Sequence, residues 1–160
     1  MAVYFQEPLK TFRFLVEVEG DGNKIVAAFS QFSGVTMRVD MVKHRSGSEN
    51  RGVTDDIPAL TSFENVTLTK GVIGDNEFLE WIRAVSPGTT ESPTGMQKYR
   101  TINIVALDDK GKRAVTWSLY TAIPVTYSLG GMDSTNSAVL SETIEFAIGG
   151  FSRETNSQSA

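Results

Sequence analysis

Polar and apolar positions alternate along most of this chain, and alternation of period two marks strands with one covered face and one wet face. In residues 11–19, Phe12, Phe14, Val16 and Val18 alternate with mostly polar neighbours. The run ends in Gly20-Asp21-Gly22-Asn23, residues that favour tight turns, and residues 25–29 return as a short second strand. A longer alternation follows: Val35, Met37, Val39 and Met41 are apolar, Thr36, Arg38 and Asp40 polar, with Val42 the one slip before Lys43-His44. Residues 46–52 have loop composition and residues 53–57 return, so 35–57 reads as an extended β-hairpin. Residues 64–70 form a further strand that buries Val66 and Leu68.

The C-terminal half keeps this pattern. Residues 100–107 and 113–120 flank Asp108-Asp109-Lys110-Gly111, a hairpin turn. Residues 122–128 continue, with Pro124 marking an edge or a bulge. Residues 138–148 form the last strand, with Leu140, Ile144, Phe146 and Ile148 on one face. The period changes only once. In residues 75–85 Asp75 is a natural N-cap, Glu77 suits the first turn, and Phe78, Leu79, Ile82 and Val85 share a face that Trp81 widens. Ser86-Pro87-Gly88 ends this helix, and 87–97 reads as a loop. These elements predict a mainly β domain: an antiparallel β-sandwich or small barrel with one flanking α-helix.

Composition narrows the chemistry. The chain has 160 residues, which fits a single domain over 1–160, with its core at about 8–153 and frayed ends at 1–7 and 154–160. The net charge of −4 gives no global attraction for a phosphate backbone. There is no cysteine, which removes disulfides, thiolate metal sites and cysteine nucleophiles together. The single histidine, His44, would have to carry any histidine-based catalysis, and it sits on the wet face of a strand beside Lys43 and Arg45. Asp55-Asp56 and Asp108-Asp109 are sequence neighbours at strand ends or turns, where aspartate serves the backbone. No phosphate loop, nucleophile elbow or calcium loop occurs, and no catalytic residue, cofactor or metal is expected. The opening residues lack a signal peptide's basic and apolar regions, and no run is long enough for a membrane helix, so no direct membrane anchoring is expected.

The hairpin at 35–57 is longer than one small domain needs. A long free edge invites aggregation unless it is paired, and pairing from copy to copy closes into a ring. The hairpin residues Val42, Lys43, His44, Arg45, Val53, Thr54, Asp55, Asp56 and Ile57 are the expected contacts between subunits.

Several segments together resemble one family. They are Pro8-Leu9-Lys10-Thr11-Phe12-Arg13-Phe14, Phe29-Ser30-Gln31-Phe32-Ser33-Gly34-Val35, and Pro58-Ala59-Leu60-Thr61 leading into Asn65-Val66-Thr67-Leu68-Thr69-Lys70-Gly71. The helix around Glu77-Phe78 and Trp81 follows, then Trp117 with Ala122-Ile123-Pro124-Val125, and Ser134-Thr135-Asn136-Ser137 before Glu142-Thr143-Ile144-Glu145. In this order they resemble the T4-like tail tube proteins of contractile phage tails and related injection systems. That resemblance implies a structural subunit of an inner tube. It implies hexameric rings stacked around a lumen for cargo or DNA, with sheath, baseplate and tube-initiator proteins as partners. It further implies synthesis in the bacterial cytoplasm and assembly into a phage tail or an injection particle. Thr36, Arg38 and Asp40 would face the channel, and Val35, Met37, Val39 and Met41 would pack against the subunit's own core. A tube initiator at the baseplate fits the same resemblance. A small ligand-binding β-barrel is the reading from a different class, and it requires an apolar interior cavity.

Overall fold

A computed structural model describes residues 9, 13–20, 23–27, 29–44, 47, 55–72, 76–86, 98–135 and 137–155. The first alternating run forms β1 (Phe14–Gly20), which turns into β2 (Asn23–Ala27) with Gly20 opposite Asn23. Two residues of β3 (Gln31–Phe32) lead to β4 (Met37–His44), which pairs with β5 (Asp55–Phe63) as a separate two-stranded unit. Then come β6 (Val66–Gly71), α1 (Glu77–Val85), β7 (Arg100–Leu107), β8 (Arg113–Leu129), β9 (Ser141–Ala147) and β10 (Gly150–Thr155). All pairings are antiparallel, in the order β2-β1-β7-β8-β9-β6-β3, with β10 also beside β8.

The 17-residue β8 joins two sheets. Its first part lies between β7 and β10, and its second part pairs with β9. The strand passes from one sheet to the other at Thr121, whose φ of +55° lies in the left-handed region that a β-branched residue rarely adopts. Gly149 packs there: a Cβ on it would lie 3.1 Å from the Thr121 Cβ, and its N–H donates to the Tyr120 carbonyl at 3.0 Å. Of the edge or bulge expected at Pro124, the bulge is present, as a register shift between Pro124 and Thr126. Among the described residues β2 and β3 do not meet, so the sheet path stays open and the sandwich, rather than a closed barrel, is the form adopted.

The core fills the space between the sheets and the helix. Val16, Val18, Ile102, Ile104 and Leu119 come from the first sheet, and Val66, Leu68, Ile144 and Phe146 from the second. The helix closes over them with Phe78 and Trp81, whose rings lie 6.3 Å and 5.2 Å from Phe146. Trp81 also donates its indole N–H to the Lys98 carbonyl at 3.0 Å. The buried helix face is Phe78, Trp81 and Ala84, while Leu79, Ile82 and Val85 are only half-buried, so the apolar face is turned relative to the expected one. Asp75 lies outside the described residues; the N-cap is Asn76, without a side-chain cap bond.

Among the boundaries that differ from the sequence reading, three matter most. The return strand of the hairpin runs on to Phe63, because a bulge opposite Asp40 absorbs Ala59 and Leu60 and lets Pro58 sit in the ladder. Residues 113–129 form one strand rather than two. Of the segment read as frayed, 154–160, Glu154 and Thr155 belong to β10, which pairs along β8 from Gly150 to Thr155, and the rest lies outside the described residues.

Candidate assembly interface

The β4–β5 hairpin leaves the sandwich at the start of β6. Its root is held by the Glu64 N–H donating to the Thr36 carbonyl at 3.1 Å, and by Phe63 set edge-on to Phe151 at 6.1 Å. Val35 is half-buried against the core just before β4. Beyond that point every β4 residue and all of β5 except Phe63 is exposed. The Arg38–Glu64 pair at the root, 3.5 Å apart and open to water, adds little stability.

Register decides the faces. Met37 pairs with Phe63, Val39 with Thr61, Met41 with Pro58 and Lys43 with Asp56, which makes one mainly apolar face ending in a charge pair. Arg38 pairs with Ser62 and His44 with Asp55, and Asp40 shares their side, which makes the opposite face polar. Val42 and Ile57 add one apolar pair to that polar face near the tip. Met37, Val39 and Met41 are 53%, 39% and 56% exposed, so the expectation that they pack on the subunit's own core is wrong. The physical reason is that among the described residues β4 pairs with β5 alone, and neither strand joins a sheet that faces the core.

Of the predicted residues, Thr36, Arg38, Asp40, Val42, Lys43, His44, Asp55, Asp56 and Ile57 are all exposed, and all but Thr36, which precedes β4, lie in the hairpin. Arg45, Val53 and Thr54 lie outside the described residues. His44 stands opposite Asp55, and among the described residues no group of three or more histidines and carboxylates could hold a metal. No described helix is long and apolar enough to cross a membrane.

Buried charged side chains were not anticipated. Lys70 and Glu142 are both buried, with Nζ 3.0 Å from Oε1, and Nζ also lies 4.7 Å above the Phe78 ring. The Tyr127 hydroxyl donates to Glu142 Oε2 at 2.7 Å, and this bond to a carboxylate raises the phenol above its ordinary value. Glu17 is buried under Arg113, which donates to both of its carboxylate oxygens. Arg100 bonds Glu77 at 3.3 Å and stacks 4.9 Å over Trp81. Pairing of this kind is what allows buried charge at all. The signal was the same alternation: Val66, Leu68 and Lys70 share a face, as do Glu142, Ile144 and Phe146.

A cavity of about 570 Å³ opens beside the hairpin root, lined by Phe14, Phe32, Val35, Trp117 and Phe151 among others. Its one charged lining residue among those described, Arg13, donates from Nη1 to the Asp109 carbonyl at 2.8 Å. Its apolar lining is what a ligand-binding barrel needs, and of the polar residues on its wall, Ser30 and Ser33 donate their hydroxyls to the Thr69 and Gly34 carbonyls at 3.1 Å and 3.3 Å.

The family model for the T4-like virus tail tube protein gp19 matches residues 10–152. Among solved structures, a chain of the sheath–tube complex of the PVC extracellular contractile injection system is 26% identical, over 96% of this chain and 94% of that one, with a TM-score of 0.74. A chain of the tube-terminating cap of the anti-feeding prophage is 25% identical, over 97% and 96%, with a TM-score of 0.77. A chain of the six-fold symmetrised baseplate of the anti-feeding prophage shares the fold at 22% identity, over 96% and 99%, with a TM-score of 0.77. No curated protein matches the sequence.

Proposed function

The chain belongs to the T4-like virus tail tube protein family, and on that premise we propose how it builds a tube. It is a structural subunit of the inner tube of a contractile tail or injection system. The whole chain works as one tail-tube domain, without catalysis, and its copies form hexameric rings that stack around a channel. The six-fold symmetry of the anti-feeding prophage baseplate supports that ring size. Sheath, cap and baseplate proteins are its partners in a particle, by likeness to the complexes in which its structural neighbours occur. The channel is the route for cargo or DNA.

One observation carries the assembly argument. The hairpin has an apolar face and a polar face, and among the described residues both are exposed. An uncovered apolar face rimmed by charge is a protein-binding surface, and in a homo-oligomer its partner is another copy. Burying Met37, Val39 and Met41 between copies leaves the opposite face, with Thr36, Arg38 and Asp40, to line a wet channel. Mixed small and charged side chains there let a passing chain slide without strong attachment.

The test is sizing and negative-stain electron microscopy of the purified protein across a range of concentrations. Rings or stacked tubes are expected. A protein that stays monomeric even when concentrated would overturn the proposal.

A further inference from the structure

The cavity beside the hairpin root has no part in building a tube, yet its lining is selective. Phe14 of β1, Phe32 of β3, Trp117 of β8 and Phe151 of β10 meet there, together with the buried Ile104 and Ala106 of β7. Its volume of about 570 Å³ falls within the roughly 300–1,000 Å³ of small-molecule sites. Side chains that face an unfilled space lose the contacts a neighbour would give them, so aromatic rings from four strands around one space suit an apolar guest.

The charge at the wall narrows the class of guest. Among the described lining residues there is no carboxylate, and Arg13 brings a positive charge. Its guanidinium is held at the wall by the Asp109 and Asp108 carbonyls, which accept from Nη1 at 2.8 Å and 3.4 Å. Arg153 adds a second cation. It is exposed, shares a face of β10 with the lining residue Phe151, and its guanidinium lies 5.9 Å from the centre of the Trp117 ring. Glu154 lies on the other face of β10.

We propose that this cavity binds a single-chain apolar anion, a fatty carboxylate. The acyl chain lies among the aromatic rings, and the carboxylate meets Arg13 and Arg153. The Ser30 and Ser33 hydroxyls are already donated to backbone carbonyls, so charge rather than hydroxyl donors selects the head group. The site also adjoins the hairpin. Val35, half-buried on the cavity wall, comes just before β4, and Phe151 holds Phe63, the last residue of β5, edge-on at 6.1 Å. A bound chain packs against both roots of the hairpin.

Isothermal titration calorimetry with decanoate, decanol and decyltrimethylammonium, each below its micellar concentration, measures this. The full chain is used unsubstituted and with Val39→Asp, which lies outside the cavity and is chosen to keep subunits apart. Circular dichroism checks the fold of every variant. One decanoate per chain is expected, with decanol at least about tenfold weaker and the cation weaker still. Arg13→Met and Arg153→Met should each weaken decanoate about fivefold and leave decanol unchanged. Ala106→Phe and Val35→Trp, which fill the cavity from two sides, should each abolish binding of both. Amide exchange with decanoate bound should slow most at residues 32–35 and at Phe151. Binding to neither form of the chain overturns the site. Equal affinity for decanoate and decanol overturns the anion assignment. Binding that survives both cavity-filling variants, or slowed exchange confined to other segments, puts the ligand elsewhere and overturns the proposal too.

Discussion

Replacing Val39 by aspartate places one charge in two environments. In the free subunit the site is 39% exposed on a strand that touches no core, so the cost is a strand preference of up to about 1 kcal/mol. In the assembly the same position is covered. Burying the rest of a valine there contributes about 1 kcal/mol, and enclosing an unpaired carboxylate costs several more. A loss of at least about 3 kcal/mol per contact is a hundredfold or more in association constant, and it recurs at every copy. The assay pairs urea unfolding of dilute subunits with sedimentation of concentrated protein. The expected outcome is an unfolding midpoint close to the parent's and no rings. Two results would refute the reasoning: normal rings, or a loss of subunit stability as large as the loss of assembly. The second would mean that Val39 belongs to the subunit's own core.

Other consequences can be checked on subunits kept apart by that substitution. Lys70→Met leaves the Glu142 carboxylate buried without its cation and should cost about 3–5 kcal/mol, while adding Glu142→Leu should recover most of it; simple additivity of the two single losses in urea melts contradicts this. The Tyr127 phenol is raised above its ordinary 10.0, so the stability linked to it is complete below that pH and is lost as pH climbs through the raised value. Tyr127→Phe should therefore flatten the alkaline fall in urea midpoint between about pH 9 and 12, and an unchanged slope contradicts it. Thr121→Gly removes a side chain from a left-handed backbone and should stabilise the subunit by about 1 kcal/mol; a loss of that size would show that the Thr121 side chain does more than strain the bend.

Alternation made most strands legible, because each covers one face and wets the other. It placed the bulge at Pro124, the turn at Gly20 and the two faces of β4. It failed where covering depends on distant parts of the chain. The pattern of β4 is that of a strand packed on a core, and nothing local says that the covering surface belongs to another copy. The return strand is read as ending at Ile57, yet a bulge at Ala59 and Leu60 lets Pro58 pair and the strand run on. The β10 segment is too polar to signal a strand, yet pairing along β8 orders it. Lys70 and Glu142 were visible as faces of alternating strands but not as a pair, since only the β6–β9 register sets them opposite each other.

The central claim is that another copy covers the apolar face of the hairpin while the polar face stays wet. Maleimide labelling of Val39→Cys and, separately, Asp40→Cys tests it directly, because the chain has no other thiol. The two positions are neighbours on one exposed strand and point to opposite sides. In dispersed subunits both should label at similar rates. On assembly Val39→Cys should slow at least about tenfold, while Asp40→Cys, open to the channel, should keep reacting with a small reagent. Equal labelling of Val39→Cys in assembled and dispersed protein would contradict the account.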